Sequence, residues 1–141
     1  MYRCRLVREG TELVPDSLIQ TPGTVVAVAQ AMLEDQDREC FLIMFSNARH
    51  RVNGSHVVSM GDVSSSIVCP REVFKAAILA GPSRIACAHN HPSGDPSPSP
   101  DDMAVTGKLK EAGKLLGIEL LDHVIIGSNG RHVALRDRGL I

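Results

Sequence analysis

Polar and apolar residues alternate in YRCRLVR (residues 2–8), which predicts a half-exposed strand because successive strand side chains point to opposite faces. TPGTVVAVAQAMLEDQ (21–36) predicts a helix whose start is marked by Thr21 and Pro22. CFLIMFS (40–46) is almost continuously apolar, the signature of a strand buried on both faces. The polar turn NARHR then leads to its hairpin partner, VNGSHVVSM (52–60). CPREVFKAAILAG (69–81) predicts a second helix, with Pro70 at its first position and Gly81 beyond its end. RIACAHNH (84–91) reads as a short strand, and SPDDMAVTGKLKEAGKLLG (99–117) as a helix starting at Ser99, Pro100 and Asp102 and stopping near Gly117. IELLDHVIIGS and RHVALRD follow as two closing strands around the turn SNG. The order β-α-β-β-α-β-α-β-β predicts a mixed sheet with helices packed on it, in the α/β class.

Composition narrows the classes of function. At 141 residues, 43% of them hydrophobic, the chain is read as one domain over residues 1–141 with a core of its own. Lys and Arg number 15 against 16 Asp and Glu, so the net charge of -1 gives no overall attraction to nucleic acid or to an anionic membrane. Two basic spots, RHR (49–51) and RDR (136–138), are read as solvated, because no aromatic residue stands beside them to stack a base. The aromatic residues other than histidine are Tyr2, Phe41, Phe45 and Phe74. Cys4, Cys40, Cys69 and Cys87 lack the close spacing of a zinc knuckle or dithiol redox site and are read as buried thiols of a reducing compartment. MYRCRLVREG offers no apolar stretch for a secretory signal, and no segment reaches membrane-spanning length, so a cytoplasmic location is expected.

The stretch AHNHPSGDPSPSPDD (88–102) carries the candidate chemistry. In a strand, His89 and His91 point to one side and Asn90 to the other, so both imidazoles share one volume. Pro92 ends the ladder, Gly94 permits a turn, and further prolines stiffen the path to Ser99. The spacing is H-x-H-x7-S-x2-D, which places Asp102 in the first turn of the following helix, from where its carboxylate can return toward the histidines. Two His and one Asp leave the fourth position of a tetrahedral zinc ion open to water, the arrangement of a hydrolytic site. Each part also has a plainer role. Paired histidines occur as packed, hydrogen-bonded groups, and Ser99 with Asp102 satisfies the capping-box pattern. The two roles are compatible, because a capped first turn fixes the direction of the Asp102 side chain.

H-x-H-x7-S-x2-D resembles the motif of the JAB/MPN metallopeptidases, and HNHPSGDPSPSPDD, PREVFKAAIL and LLGIELLDHVIIG resemble the RadC-like branch of that family. The likeness runs from RLVREG to RDRGL, nearly the whole chain. It implies a mixed sheet sandwiched by helices, of the cytidine-deaminase-like type, with one zinc ion per chain held by His89, His91 and Asp102. The residues alone leave the general base open between Glu39, at the head of the strand CFLIMFS, and Glu72, in a first helical turn where a carboxylate favours the helix dipole. The resemblance selects Glu39, since the catalytic glutamate of the family opens such a strand, and it gives the Ser99 hydroxyl the task of donating to the oxyanion. Asp122 and His123, adjacent in a strand, point to opposite faces and are read as structural, with His123 packed or exposed. His50, His56 and His132 are read as solvated, and Cys87 as core.

The leading function is therefore a zinc-dependent peptidase or isopeptidase acting on a peptide or a ubiquitin-like tail. Many RadC-like proteins carry an N-terminal helix-hairpin-helix region, and the chain is read as lacking it, which weakens a DNA-processing role. The letters HNH at 89–91 are coincidental, since the nuclease motif of that name spreads its residues over a ββα unit. A non-catalytic interaction module is disfavoured by the complete ligand set, and a deaminase by the absence of H-x-E and P-C-x-x-C.

Overall fold

A computed structural model describes residues 1–7, 9, 22–34, 36–49, 51–61 and 68–141. The apolar run Cys40–Ser46 forms β1, buried at every position. It lies inside the sheet, paired antiparallel with β2 (Val52–Met60) on one side and with β3 (Arg84–Asn90) on the other. β3 pairs parallel with β4 (Glu119–Ile126), and β4 antiparallel with β5 (His132–Ala134). The five strands follow the order β2-β1-β3-β4-β5, a mixed sheet.

Alternation along these strands divides the core between two faces. Leu42, Met44, Ala86 and Ala88 pack with Val25, Val28, Ala29 and Leu33 of helix α1 (Pro22–Leu33). Phe41, Ile43, Ile85 and Cys87 pack on the other face with Val73, Phe74 and Ala77 of α2 (Pro70–Ala80) and with Val105 and Leu109 of α3 (Pro100–Leu116). Helices on both faces of a mixed sheet are the architecture expected from the sequence. Local chemistry sets the helix ends as expected. Pro70 and Pro100 stand in the first turns of α2 and α3, and Gly81 and Gly117 close them in left-handed conformation.

Three expectations need correction. Residues 1–7 form no strand and are exposed, Tyr2 at 99% and Val7 at 71%. Alternation gives a strand only where a sheet edge accepts the backbone and a core accepts the apolar face, and among the described residues Leu6 and Val7 find neither. Arg8 lies outside the described residues. The first helix ends at Leu33, before Gln36, and β3 ends at Asn90, so His91 stands just beyond it. Ile85 aligns with Leu120 but Cys87 with His123, so β4 takes one extra residue over that interval. This irregularity turns His123, where strict alternation would place Asp122, to the face carrying Cys87 and His89. Among the described residues no helix is long and apolar enough to cross a membrane.

Candidate metal centre

His89 lies near the end of β3, fully buried, with its ring stacked on Phe41, its register partner on β1. His91 keeps a tether to the sheet, its backbone N donating to the Ile126 carbonyl at 2.9 Å, and its ring returns to the same side. The two Nε2 atoms are 3.0 Å apart. Asp102, on the first turn of α3, brings Oδ1 to 3.2 Å from His89 Nε2 and Oδ2 to 3.2 Å from His91 Nε2. Its carboxylate is buried against them.

The loop between β3 and α3 is built to hold this geometry. Gly94, at φ 90°, closes a turn with its N donating to the His91 carbonyl at 2.9 Å. The Gly94 carbonyl in turn accepts from Ser128 N at 3.0 Å and from Arg131 Nη2 at 2.7 Å, fastening the loop to the β4–β5 turn. A Cβ at Gly94 would stand 2.5 Å from Ser128 Oγ, and one at Gly127 would strike the Gly94 carbonyl. At the far end Ser99 N donates to Asp102 Oδ2 at 2.8 Å while Asp102 N donates to Ser99 Oγ at 3.1 Å, the reciprocal capping box. Gly94→Ala is expected to destabilise the fold by about 1–3 kcal/mol through left-handed strain and this clash. It is also expected to weaken metal binding by displacing His91. Thermal unfolding and a zinc titration on the same variant check both effects.

Glu39 immediately precedes β1, and the backbone on either side of it is pinned by Asn90. Asn90 Oδ1 accepts from Cys40 N at 2.7 Å and its Nδ2 donates to the Arg38 carbonyl at 2.8 Å. The Glu39 carbonyl accepts from Gly61 N at 2.7 Å. So held, Glu39 joins His89 and His91 in a group able to hold a metal ion, with one ligand atom from each within 4.8 Å of the others. Asp102 makes the shorter contacts, touching both imidazoles.

The Asp95 carbonyl can only accept, so His91 Nδ1, 2.8 Å away, carries a proton and donates to it. Burial pushes the Asp102 carboxyl up, but hydrogen bonds to His89 and His91 outweigh it and hold the group well below the ordinary carboxylate range. The His91 imidazole is raised, chiefly by its bond to Asp102, against burial and with help from the Asp95 carbonyl and the charges of Asp102 and Glu39. Tetrahedral ligand atoms about 2.0–2.1 Å from a zinc ion stand about 3.3 Å from one another. The two Nε2 atoms, 3.0 Å apart, stand near that spacing, each with a different oxygen of the Asp102 carboxylate 3.2 Å away, and nitrogen and carboxylate donors suit a divalent ion.

Other candidates fall elsewhere. Glu72 pairs with Lys75 and Arg71 at the surface and is absent from the cluster. Cys87 is core, its thiol pushed far up by burial and then by the charge of Asp122. Cys4 is exposed and Cys69 half-buried, so the expectation of buried thiols holds for Cys40 and Cys87; all four are free. His56 and His132 are exposed, while His50 lies outside the described residues. His123 was read as structural, packed or exposed. It is fully buried and its Nε2 lies 2.8 Å from His89 Nδ1. Burial, then the neighbouring His89 charge, lowers its imidazole well below the usual value. Asn90 and Arg131 were also missed, since neither touches the cluster and each acts on the backbone that carries it.

Residues 19–140 match the RadC-like JAB domain family. A UPF0758 protein of Methanosarcina acetivorans is 46% identical over 127 residues, covering 90% of this chain and 55% of that protein. A UPF0758 protein of Shouchella clausii is 40% identical over 135 residues, covering 96% and 58%. One from Desulforamulus reducens is 43% identical over 124 residues, covering 88% and 54%. The chain spans about half the length of the curated relatives it matches.

Proposed function

The chain belongs to the RadC-like JAB domain family, and from that premise we propose that it is a zinc-dependent hydrolase cleaving a peptide or isopeptide bond. The observation that carries this reading is the convergence of two imidazole Nε2 atoms and the Asp102 carboxylate, with Glu39 beside them. A divalent ion bound there supplies Lewis-acid polarisation of the scissile carbonyl and acidifies water. His89, His91 and Asp102 are the residues that would hold it. Glu39 then takes the proton of the attacking water and passes it to the leaving amine. The Ser99 hydroxyl accepts from Asp102 N through its lone pair, which leaves its own proton free to donate to the oxyanion.

An amide suits this site better than a phosphodiester. Many enzymes that cut phosphodiesters use two metals bridged by several carboxylates, whereas here one carboxylate touches both imidazoles. The net charge of -1 and the scarcity of aromatic residues give a polyanion little to hold. β2 is an edge strand whose Met60 end lies opposite Cys40, next to Glu39, so an extended peptide or ubiquitin-like tail adding to that edge is delivered toward the cluster. The zinc-loaded chain is expected to cleave isopeptide or peptide substrates in a chelator-sensitive manner and to leave single- and double-stranded DNA intact. DNA cleavage that needs metal and is lost in Asp102→Ala would establish the rival, DNA-processing reading.

A further inference from the structure

Behind the cluster lies a row of buried polar groups that the proposed chemistry leaves without a task. Thr106, one turn along α3 from Asp102, places Oγ1 2.7 Å from the Asp102 backbone carbonyl and 2.6 Å from His123 Nδ1. His123 Nε2 is 2.8 Å from His89 Nδ1. Thr106, His123 and His89 are all buried, at 2%, 0% and 0% exposure, so the polar atoms of the row rely on one another. The irregular step in β4 puts His123 here, and Asp122 steadies that step, its Oδ1 accepting from His123 N at 2.7 Å and Arg136 N at 3.1 Å.

The direction of the row follows from counting protons. A hydroxyl has one, and a carbonyl can only accept, so Thr106 gives its proton to Asp102 O and meets His123 as an acceptor. His123 Nδ1 must then donate. Burial keeps that ring neutral, so its Nε2 is a lone pair, and His89 Nδ1 must donate to it. The Nε2 of His89 faces Asp102 and His91. We infer that Thr106 and His123 are positioning residues that hold a proton on His89 Nδ1 and so turn its Nε2 to the place where a metal ion would sit. Each histidine of the cluster thus has its own lock, a loop carbonyl for His91 and a buried hydroxyl–imidazole ladder for His89.

The functional consequence rests on the metal-binding reading, but the tautomer does not, and two measurements separate them. Imidazole ¹⁵N NMR on the metal-free wild-type chain is expected to show His123 protonated at Nδ1 and not at Nε2, and His89 protonated at Nδ1. Protonation of His123 at Nε2 would overturn the proposal whether or not the chain binds zinc. Zinc competition titrations then compare Thr106→Val, which keeps shape and loses the hydroxyl, with Thr106→Ser, which restores it. Removal of an outer-shell partner commonly lowers metal affinity about 10–100-fold, and that loss is expected for the valine variant, with serine near wild type. Equal affinity in all three contradicts the proposal. If the valine variant does not fold, a serine variant that binds as poorly as a ladder-free His123→Phe chain contradicts it equally. A wild-type chain that binds no zinc, with the tautomers as described, refutes the metal reading alone.

Discussion

Glu39→Gln is expected to lower amide hydrolysis by about 10²–10⁴-fold, the usual contribution of a positioned general base, while zinc stays bound. Glutamine preserves the size and polarity of the side chain and removes its capacity to take a proton. The supporting structure lies outside the side chain: Asn90 fixes the Arg38 carbonyl and the Cys40 amide, and Gly61 N fixes the carbonyl of Glu39 itself. The substitution therefore leaves the backbone geometry in place. A steady-state assay combined with metal analysis distinguishes the outcomes. A fall in rate at full occupancy supports the base, loss of zinc makes Glu39 a ligand, and activity retained in Glu39→Gln but absent in Glu72→Gln transfers the role to Glu72.

Asp102→Asn is expected to weaken zinc binding by more than about 100-fold, beyond the ~10–100-fold typical of outer partners, because it removes the anionic donor in contact with both imidazoles. Asparagine still presents an oxygen to Ser99 N, so the capping box survives and the metal-free variant should melt near the wild-type temperature. Asp102→Ala loses both functions, and the additional destabilisation should be about 1 kcal/mol, as for a lost helix cap. The pair of variants separates the two roles that the motif combines. Similar zinc affinity in Asp102→Asn and wild type would remove Asp102 from the ligand set.

The sequence exposes those parts of the fold whose causes are local. The continuous apolar run at 40–46 could bury itself only inside a sheet, and the proline–glycine brackets around α2 and α3 act within a turn of the helix. The histidines at 89 and 91 are brought together from their spacing, although His91 does so from beyond the strand end. What escaped depends on distant partners. The alternation of YRCRLVR looks like a strand, but residues 2–7 pair with none of the described strands and stay exposed. Alternation separates Asp122 from His123, but which of the two joins His89 depends on a single extra residue in β4, set by pairing with β3. Asn90 does face away from the imidazoles, as expected. Its task of pinning the chain beside Glu39 involves residues 50 or more positions earlier and leaves no local pattern.

The most direct test of the account is the zinc content of the wild-type chain after equilibrium dialysis, measured beside His89→Ala. The account predicts one zinc ion per chain in the wild type and nearly none in the variant. A wild-type chain that retains no zinc, or a His89→Ala chain that retains as much as the wild type, would contradict it.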